Sequence, residues 1–282
     1  MTAFAGVRAA KVSNTVLVGA RFATHIVEAI AATLVALEIV ILLAGVISRF
    51  AFHRPIVWTD ELASIVFLWL AMLGAVIALA RGQHMRLTAI VNRMPPVWQA
   101  RAQVLATGVA LLFLILLLPS AFDYAQDEGF IETPALGWSN MIRASALPVG
   151  CALMALSCAA RLFRRRPIDI LVVGLALLAV GLALYAAAPA LKLLGNWNLF
   201  LFFVLLLGGG VLFGVPIGFG FGMATLAYLA LTTSAPLSVV VSRLDEGMSS
   251  LILLAVPLFV FLGALIEMTG MAVAMVNFLT AL

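Results

Sequence analysis

Runs of about 20 apolar residues recur along this chain, each the length that crosses roughly 30 Å of hydrocarbon. They dictate helices, because inside a bilayer every backbone N–H and C=O must be satisfied within its own segment, and the strand-length alternation of an outer-membrane barrel is missing. The runs fall at roughly Ile26 to Ile47, Leu62 to Ala80, Ala102 to Phe122, Met141 to Ala160 and Ile170 to Ala190. A longer run covers Leu199 to Leu231, and another begins at Leu251 and contains Glu267. Composition excludes a soluble alternative: 65% of residues are hydrophobic and 10% charged, against about 25% charged in a soluble domain. The expected fold is all-α and polytopic. Whether the run from Leu199 to Leu231 crosses once or re-enters is open at this level.

The net charge is +4, but the basic residues sit in short clusters beside apolar spans. They read as topology signals and not as a nucleic-acid footprint. Arg8, Lys11 and Arg21 precede the first span; Arg81, Arg86, Arg93 and Arg101 separate the second and third; Arg161, Arg164, Arg165 and Arg166 follow the fourth. Those regions are expected on the cytoplasmic side. In the alternate loops Arg49 and Arg54 are offset by Asp60 and Glu61, and Phe122 to Asn140 carries Asp123, Asp127, Glu128 and Glu132 with no Lys or Arg. These loops are expected to face outward. Trp58, Trp98, Trp138 and Trp197 each stand just before a span, where an indole favours the headgroup layer, and Trp69 alone lies mid-span. The N-terminus lacks a short h-region with a small-residue cleavage site and reads as an uncleaved first span. Cys151 and Cys158, seven residues apart on one helix, are too far apart for a disulfide and read as packing residues.

Residues with chemistry are few. Glu38 lies mid-span, where an ionisable group is costly; a coupling-ion or proton site and a structural carboxylate are the two readings, and the lack of a second carboxylate in spans two to five favours the structural one. Arg143, near the outer end of span four, is the available partner. His25, His53 and His84 fall at span ends without metal-ligand spacing, and no G-x-S-x-G elbow supports a hydrolase. No catalytic residue, metal site or cofactor is expected. Gly210, Gly214, Gly218 and Gly222 recur every four residues and lay a smooth stripe on a helix face. Pro216 beside them, and Pro257 further on, mark either mid-membrane breaks that expose backbone groups or kinks at packed interfaces, with packing favoured.

At these residues a resemblance emerges. Trp58-Thr59-Asp60-Glu61-Leu62-Ala63, then Phe67 to Ala75 with Trp69, then Arg81-Gly82-Gln83-His84-Met85-Arg86, resemble the small membrane subunit of tripartite ATP-independent periplasmic (TRAP) transporters. Phe213-Gly214-Val215-Pro216-Ile217-Gly218 and Leu253-Leu254-Ala255-Val256-Pro257-Leu258-Phe259 with Gly263 resemble the opening of that family's large subunit. The resemblance implies a fused chain: a cytoplasmic segment at 1–25, a four-helix small-subunit module at 26–166, a linker helix within 167–196, and at 197–282 the start of an elevator-type large subunit. It also implies secondary, sodium-driven symport of organic acids, carboxylates or sialic-acid-like solutes, delivered by a periplasmic binding protein. The partners would be that protein, membrane lipids and the remainder of the large subunit, with no nucleic acid. The family's substrate and sodium sites are expected beyond Leu282, so Glu38, Trp58, Asp60, Glu61, Trp69, Arg81, His84, Gly214, Pro216, Gly218 and Pro257 stand as structural or interface residues. A membrane adaptor that braces partner helices without transport is the alternative.

Overall fold

Helix α1 (Thr2–Phe50) opens the chain and α2 (Trp58–Arg81) returns along it. This computed structural model describes residues 2–281, with side chains for 25–250 and 252–281. The side chains of Arg8, Lys11 and Arg21 therefore lie outside the described residues. Next come α3 (Pro96–Asp127), α4 (Met141–Leu162) and α5 (Pro167–Leu193). These five helices, α1 from His25 onward, are long and apolar enough to cross a membrane. Among the described residues β-structure is limited to one isolated bridge, Glu132 with Ser139.

Local chemistry sets the ends. α2 stops at Gly82, whose φ of 72° is the left-handed conformation that glycine adopts without strain; its N–H donates to the Leu79 carbonyl at 3.1 Å. α3 and α5 each begin at a proline, which lacks the N–H that a first turn leaves unpaired. The α3 helix is longer than the apolar run that marked it, since Pro96 to Arg101 and Asp123 to Asp127 continue its turns into the polar layers.

Helices α2, α3 and α4 share one core. Leu68 and Met72 of α2 meet Leu114 and Leu117 of α3 and Leu147, Cys151 and Cys158 of α4, all buried. Both cysteines are free thiols in this packing. α1 lies on the far side of α2 through Ile41, Ala63 and Val66. Lipid is as apolar as these side chains, so close van der Waals fit holds the bundle more than hydrophobic transfer does.

The second half departs from a single crossing. The run from Leu199 to Leu231 is two helices, α6 (Trp197–Leu212) and α7 (Ile217–Thr232), reversed at residues 213–216. Phe202 meets Tyr228 near the end of α7 edge-on and Phe203 meets it at a tilt, at 5.9 and 6.1 Å between ring centroids, which makes α6 and α7 an antiparallel hairpin. With 16 residues, α7 is about 24 Å long. Part of α6, Phe200–Leu206, winds as a π-helix, a wider turn that rotates later side chains. The glycine stripe is therefore not on one helix face. Gly210 lies on α6, Gly214 in the turn, and Gly218 and Gly222 on α7.

An amphipathic helix, α8 (Ser238–Met248), follows, then α9 (Ile252–Met268) and α10 (Met271–Ala281). Within α9 the helix breaks at Ala255, and Pro257 is buried in the first turn of the part that resumes at Val256. The bundle has two distinct ends. A basic end holds Arg81 to Arg93 and Arg161 to Arg166, and an acidic end holds the loop from Asp127 to Asn140.

Candidate functional site

At the acidic end the Trp58 to Glu61 motif is taken apart, each residue having its own partner. Trp58 is exposed. Thr59 is buried, donates from Oγ1 to the Ile56 carbonyl at 2.7 Å and faces Gly45 of α1 so closely that a Cβ there would lie 3.1 Å from its oxygen. Asp60 reaches Arg49 at 3.3 Å across the loop that joins α1 to α2. Glu61 accepts two backbone N–H groups, from Ala135 at 2.8 Å and Leu136 at 3.0 Å.

Those two amides belong to the connection between α3 and α4, which is a built loop. Its strands close through Thr133 N–H to the Trp138 carbonyl at 2.8 Å and Asn140 N–H to the Ile131 carbonyl at 2.8 Å. Gly137 turns it with a φ of 65°. At its base the Asn140 amide donates to Glu128, and the Ser139 hydroxyl donates to the Gly129 carbonyl at 3.1 Å. Glu128 is thus a structural carboxylate, whereas Asp123, Asp127 and Glu132 are exposed, as are Phe130 at 90%, Ile131 and Trp138. The result is a stiff platform carrying acidic and apolar groups outward. Trp69 supports it from mid-helix, its indole N–H donating to the Ile142 carbonyl at 2.9 Å.

Beneath the platform is a buried polar cluster that sequence reasoning missed. Arg143 of α4 donates to Asp245 of α8 at 2.6 Å, to Ser249 at 2.5 Å and to the Asn140 carboxamide oxygen at 3.0 Å. Tyr124 of α3 donates to the same Asp245 oxygen at 2.8 Å. Arg143 is therefore not the partner of Glu38. Glu38 is fully buried on α1, and neither of its carboxylate oxygens meets a donor among the described residues. A signal for Asp245 existed in the sequence: it stands four residues after Val241, on the apolar face of an otherwise charged helix.

The basic end carries a second attachment. The hairpin turn sits on the loop after α2, with Ile217 N–H donating to the Met85 carbonyl at 3.1 Å. Gly214, at a φ of 83°, lies against Val91, and a Cβ there would be 3.1 Å from that side chain. Pro216 is buried and begins α7. Gly222 meets the ring of Phe113, 2.6 Å from where a Cβ would stand, while Gly218 has open space around it. His84 packs edge-on against Phe219 at 5.1 Å, and burial holds its imidazole below the usual pKa of that group. Arg81 is drawn to Glu28 of α1 at 2.8 Å.

Between the two attachments lies a cavity of about 670 Å³, walled by Met72, Phe113 and Met154 on one side and Phe219, Phe221 and Leu229 on the other. Of its polar groups, Thr225 donates to the Phe221 carbonyl at 2.9 Å and Arg243 to Glu246 at 2.7 Å, while the buried His84 Nε2 meets no partner among the described residues. Replacing the hydration of an organic anion or a sodium ion needs several convergent polar groups, and this wall is mainly apolar. Among the described residues no three His, Cys, Asp or Glu side chains converge as a metal would require.

Fold and contacts together define a class: a polytopic helical membrane protein in which a four-helix module holds the turn of a reversed helical hairpin at its basic end and the following helix α8 at its acidic end. Comparison with known proteins is specific. Residues 38–168 match the family profile of the DctQ component of tripartite ATP-independent periplasmic transporters, and residues 199–282 that of the DctM component. The chain is 30% identical over 132 residues to the sialic acid TRAP transporter small permease protein SiaQ of Vibrio cholerae, covering 46% of this chain and 75% of that one. It is 25% identical over 258 residues to the sialic acid TRAP transporter permease protein SiaT of Haemophilus influenzae, covering 86% of this chain and 41% of that protein. The isethionate TRAP transporter permease protein DctMQ of Oleidesulfovibrio alaskensis is 27% identical over 228 residues, 78% of this chain and 35% of its own length. This chain belongs to the TRAP transporter permeases, an inner-membrane family, with the small component fused ahead of the large one. It spans less than half the length of these two fused relatives.

Proposed function

We propose that the chain is the membrane-embedded docking and bracing part of a sodium-driven symporter for organic acids, loaded by a soluble periplasmic binding protein at the acidic end. The observation that carries this is the platform of residues 128–140, pinned by Glu61 from outside the loop and by Asn140 and Ser139 at its base. A loop whose amides are held in place meets a partner with little ordering cost. Its exposed Phe130 and Trp138 supply the aromatic anchors on which such contacts depend, and Asp123, Asp127 and Glu132 supply charge for a basic partner surface. On this reading the basic end is cytoplasmic, as positive charge on short loops dictates. The relatives' solutes, sialic acid and isethionate, are organic anions, which supports an anionic cargo here too. Substrate and sodium would be held by parts of the large component outside these residues, and no enzymatic step is assigned.

The test is uptake of labelled organic acids by cells expressing the complete transporter with its cognate binding protein. Asp127→Lys with Glu132→Lys should slow uptake at limiting binding protein, leave membrane abundance unchanged and lose its effect in high salt, since exposed charges are screened over about 8 Å at physiological salt. Uptake that ignores both substitutions and salt counts against docking at this loop. Uptake that needs no sodium counts against the coupling ion, and a chain that assembles with its partners but supports no uptake under any gradient favours the adaptor reading.

A further inference from the structure

We propose that a furrow at the basic end of the four-helix module binds an anionic phospholipid, with an acyl chain in the furrow and the phosphate on Arg161 and Arg164. α1 and α4 both pack along α2, and between them remains a groove of about 210 Å³. Its floor is Val76, Ile77 and Ala80 of α2, its wall is Leu153 and Leu156 of α4, and Arg161 and Arg164 stand at its basic end. The shape suits a hydrocarbon chain, because Ser157, the remaining polar side chain there, turns its hydroxyl to the Leu153 carbonyl at 2.9 Å.

Charge selects the headgroup. Acids near this end are each paired: Glu28 with Arg81 at 2.8 Å, and Asp169 with Arg101 at 3.5 Å. Arg161 gives one N–H to the Ala80 carbonyl at 2.5 Å, which leaves most of its five donors free. Arg164 and its neighbours Arg165 and Arg166 make no ion pair among the described residues. Two guanidinium groups over an apolar slot match a phosphate ester joined to an acyl chain, and basic pockets between helices at this depth are suited to anionic headgroups. Neutral lipid would fill the slot but leave the arginines unmatched. Free phosphate would meet the arginines but leave the slot empty.

The experiment uses the full 282-residue chain, delipidated in detergent, with thermal unfolding and native mass spectrometry as readouts. Phosphatidylglycerol should raise the melting temperature and remain bound as a discrete adduct, whereas phosphatidylcholine or inorganic phosphate at equal concentration should do neither. Arg164→Gln should weaken the adduct about fivefold, the worth of one basic residue at a negative surface. Ala160→Phe, which fills the furrow and leaves the charges alone, should weaken it as well without lowering the melting temperature of the lipid-free protein. Equal effects of the two lipids, a full effect of phosphate alone, retention of the adduct in both variants, or a dimer mass in place of the lipid adduct would each overturn the proposal.

Discussion

Arg143 and Asp245 are 102 residues apart in the chain and 2.6 Å apart in space, and their contact ties the small-component module to α8 of the large component. The pair is shielded, with side-chain exposures of 15% and 4%, so removing one member strands the other. Asp245→Ala should cost about 3–5 kcal/mol, the range for breaking a buried ion pair, read by thermal or denaturant unfolding in detergent. Asp245→Asn should cost less, since it still accepts from Tyr124. The double replacement Arg143→Met with Asp245→Leu should recover most of the loss. A melting temperature indifferent to Asp245→Ala would mean that the seam does not depend on this pair.

Three glycines of the stripe should respond differently to alanine. Gly214→Ala forces a side chain into a positive φ against Val91 and should cost about 1–3 kcal/mol. Gly222→Ala presses on the Phe113 ring and should cost a similar amount through overpacking. Gly218→Ala has open space and should be near neutral. Equal costs at all three would restore the single-face reading and argue against the hairpin.

Glu61→Ala should release the loop that it holds. Hydrogen bonds to a charged group contribute about 1.5–3 kcal/mol each, so exchange of the Ala135 and Leu136 amides should rise by roughly ten- to a hundredfold. Exchange elsewhere in α2 should not change. Glu61→Gln, which keeps one acceptor, should fall between. Unaltered exchange at both amides would show that the loop stands without it.

Orientation is open to direct labelling. Cys151 and Cys158 are buried, so the background for an impermeant thiol reagent should be low. Asp127→Cys should label from outside intact cells, and Arg165→Cys only after permeabilisation. The reverse order would invert the topology.

Glu38→Gln removes the ionisable group and keeps the shape. Because no donor meets this carboxylate among the described residues, the exchange should leave uptake by the complete transporter, and the sodium dependence proposed for it, largely intact. Loss of sodium dependence with normal assembly would make Glu38 a coupling residue.

The first five helices were legible because bilayer thickness and backbone satisfaction leave one way to read 20 apolar residues flanked by charge. The Trp58 to Glu61 motif was visible as a motif, but its meaning was not. A carboxylate that accepts from amides 74 and 75 residues away leaves no local trace. The hairpin hid in the run from Leu199 to Leu231, where glycine and proline spell a kink as readily as a reversal. The excess length of that run over one crossing was the clue. Asp245 leaves no mark in the apolar runs because it lies on a short amphipathic helix, and its partner follows only from the packing of α8 on α3, which brings Asp245 to Tyr124 and Arg143. The sequence pairs Arg143 with Glu38 on chemistry alone, whereas α2 separates the helices that carry them.

Helix α5 is the covalent join between the two components, and yet most of its side chains are exposed. Its polar ties are Asp169 to Arg101 at 3.5 Å and, at its far end, the Asn198 carboxamide donating to the Leu191 carbonyl at 2.6 Å. The seam is closed instead by Arg143 with Asp245 at one end and Ile217 with Met85 at the other, neither of which lies on α5. The join therefore behaves as a tether. It fixes a one-to-one ratio and keeps the partners at an effective concentration that short linkers set near millimolar, while recognition resides in the seam. Cut within Arg164 to Arg166, the two pieces would still fit, and what fusion adds is the speed and certainty with which they meet.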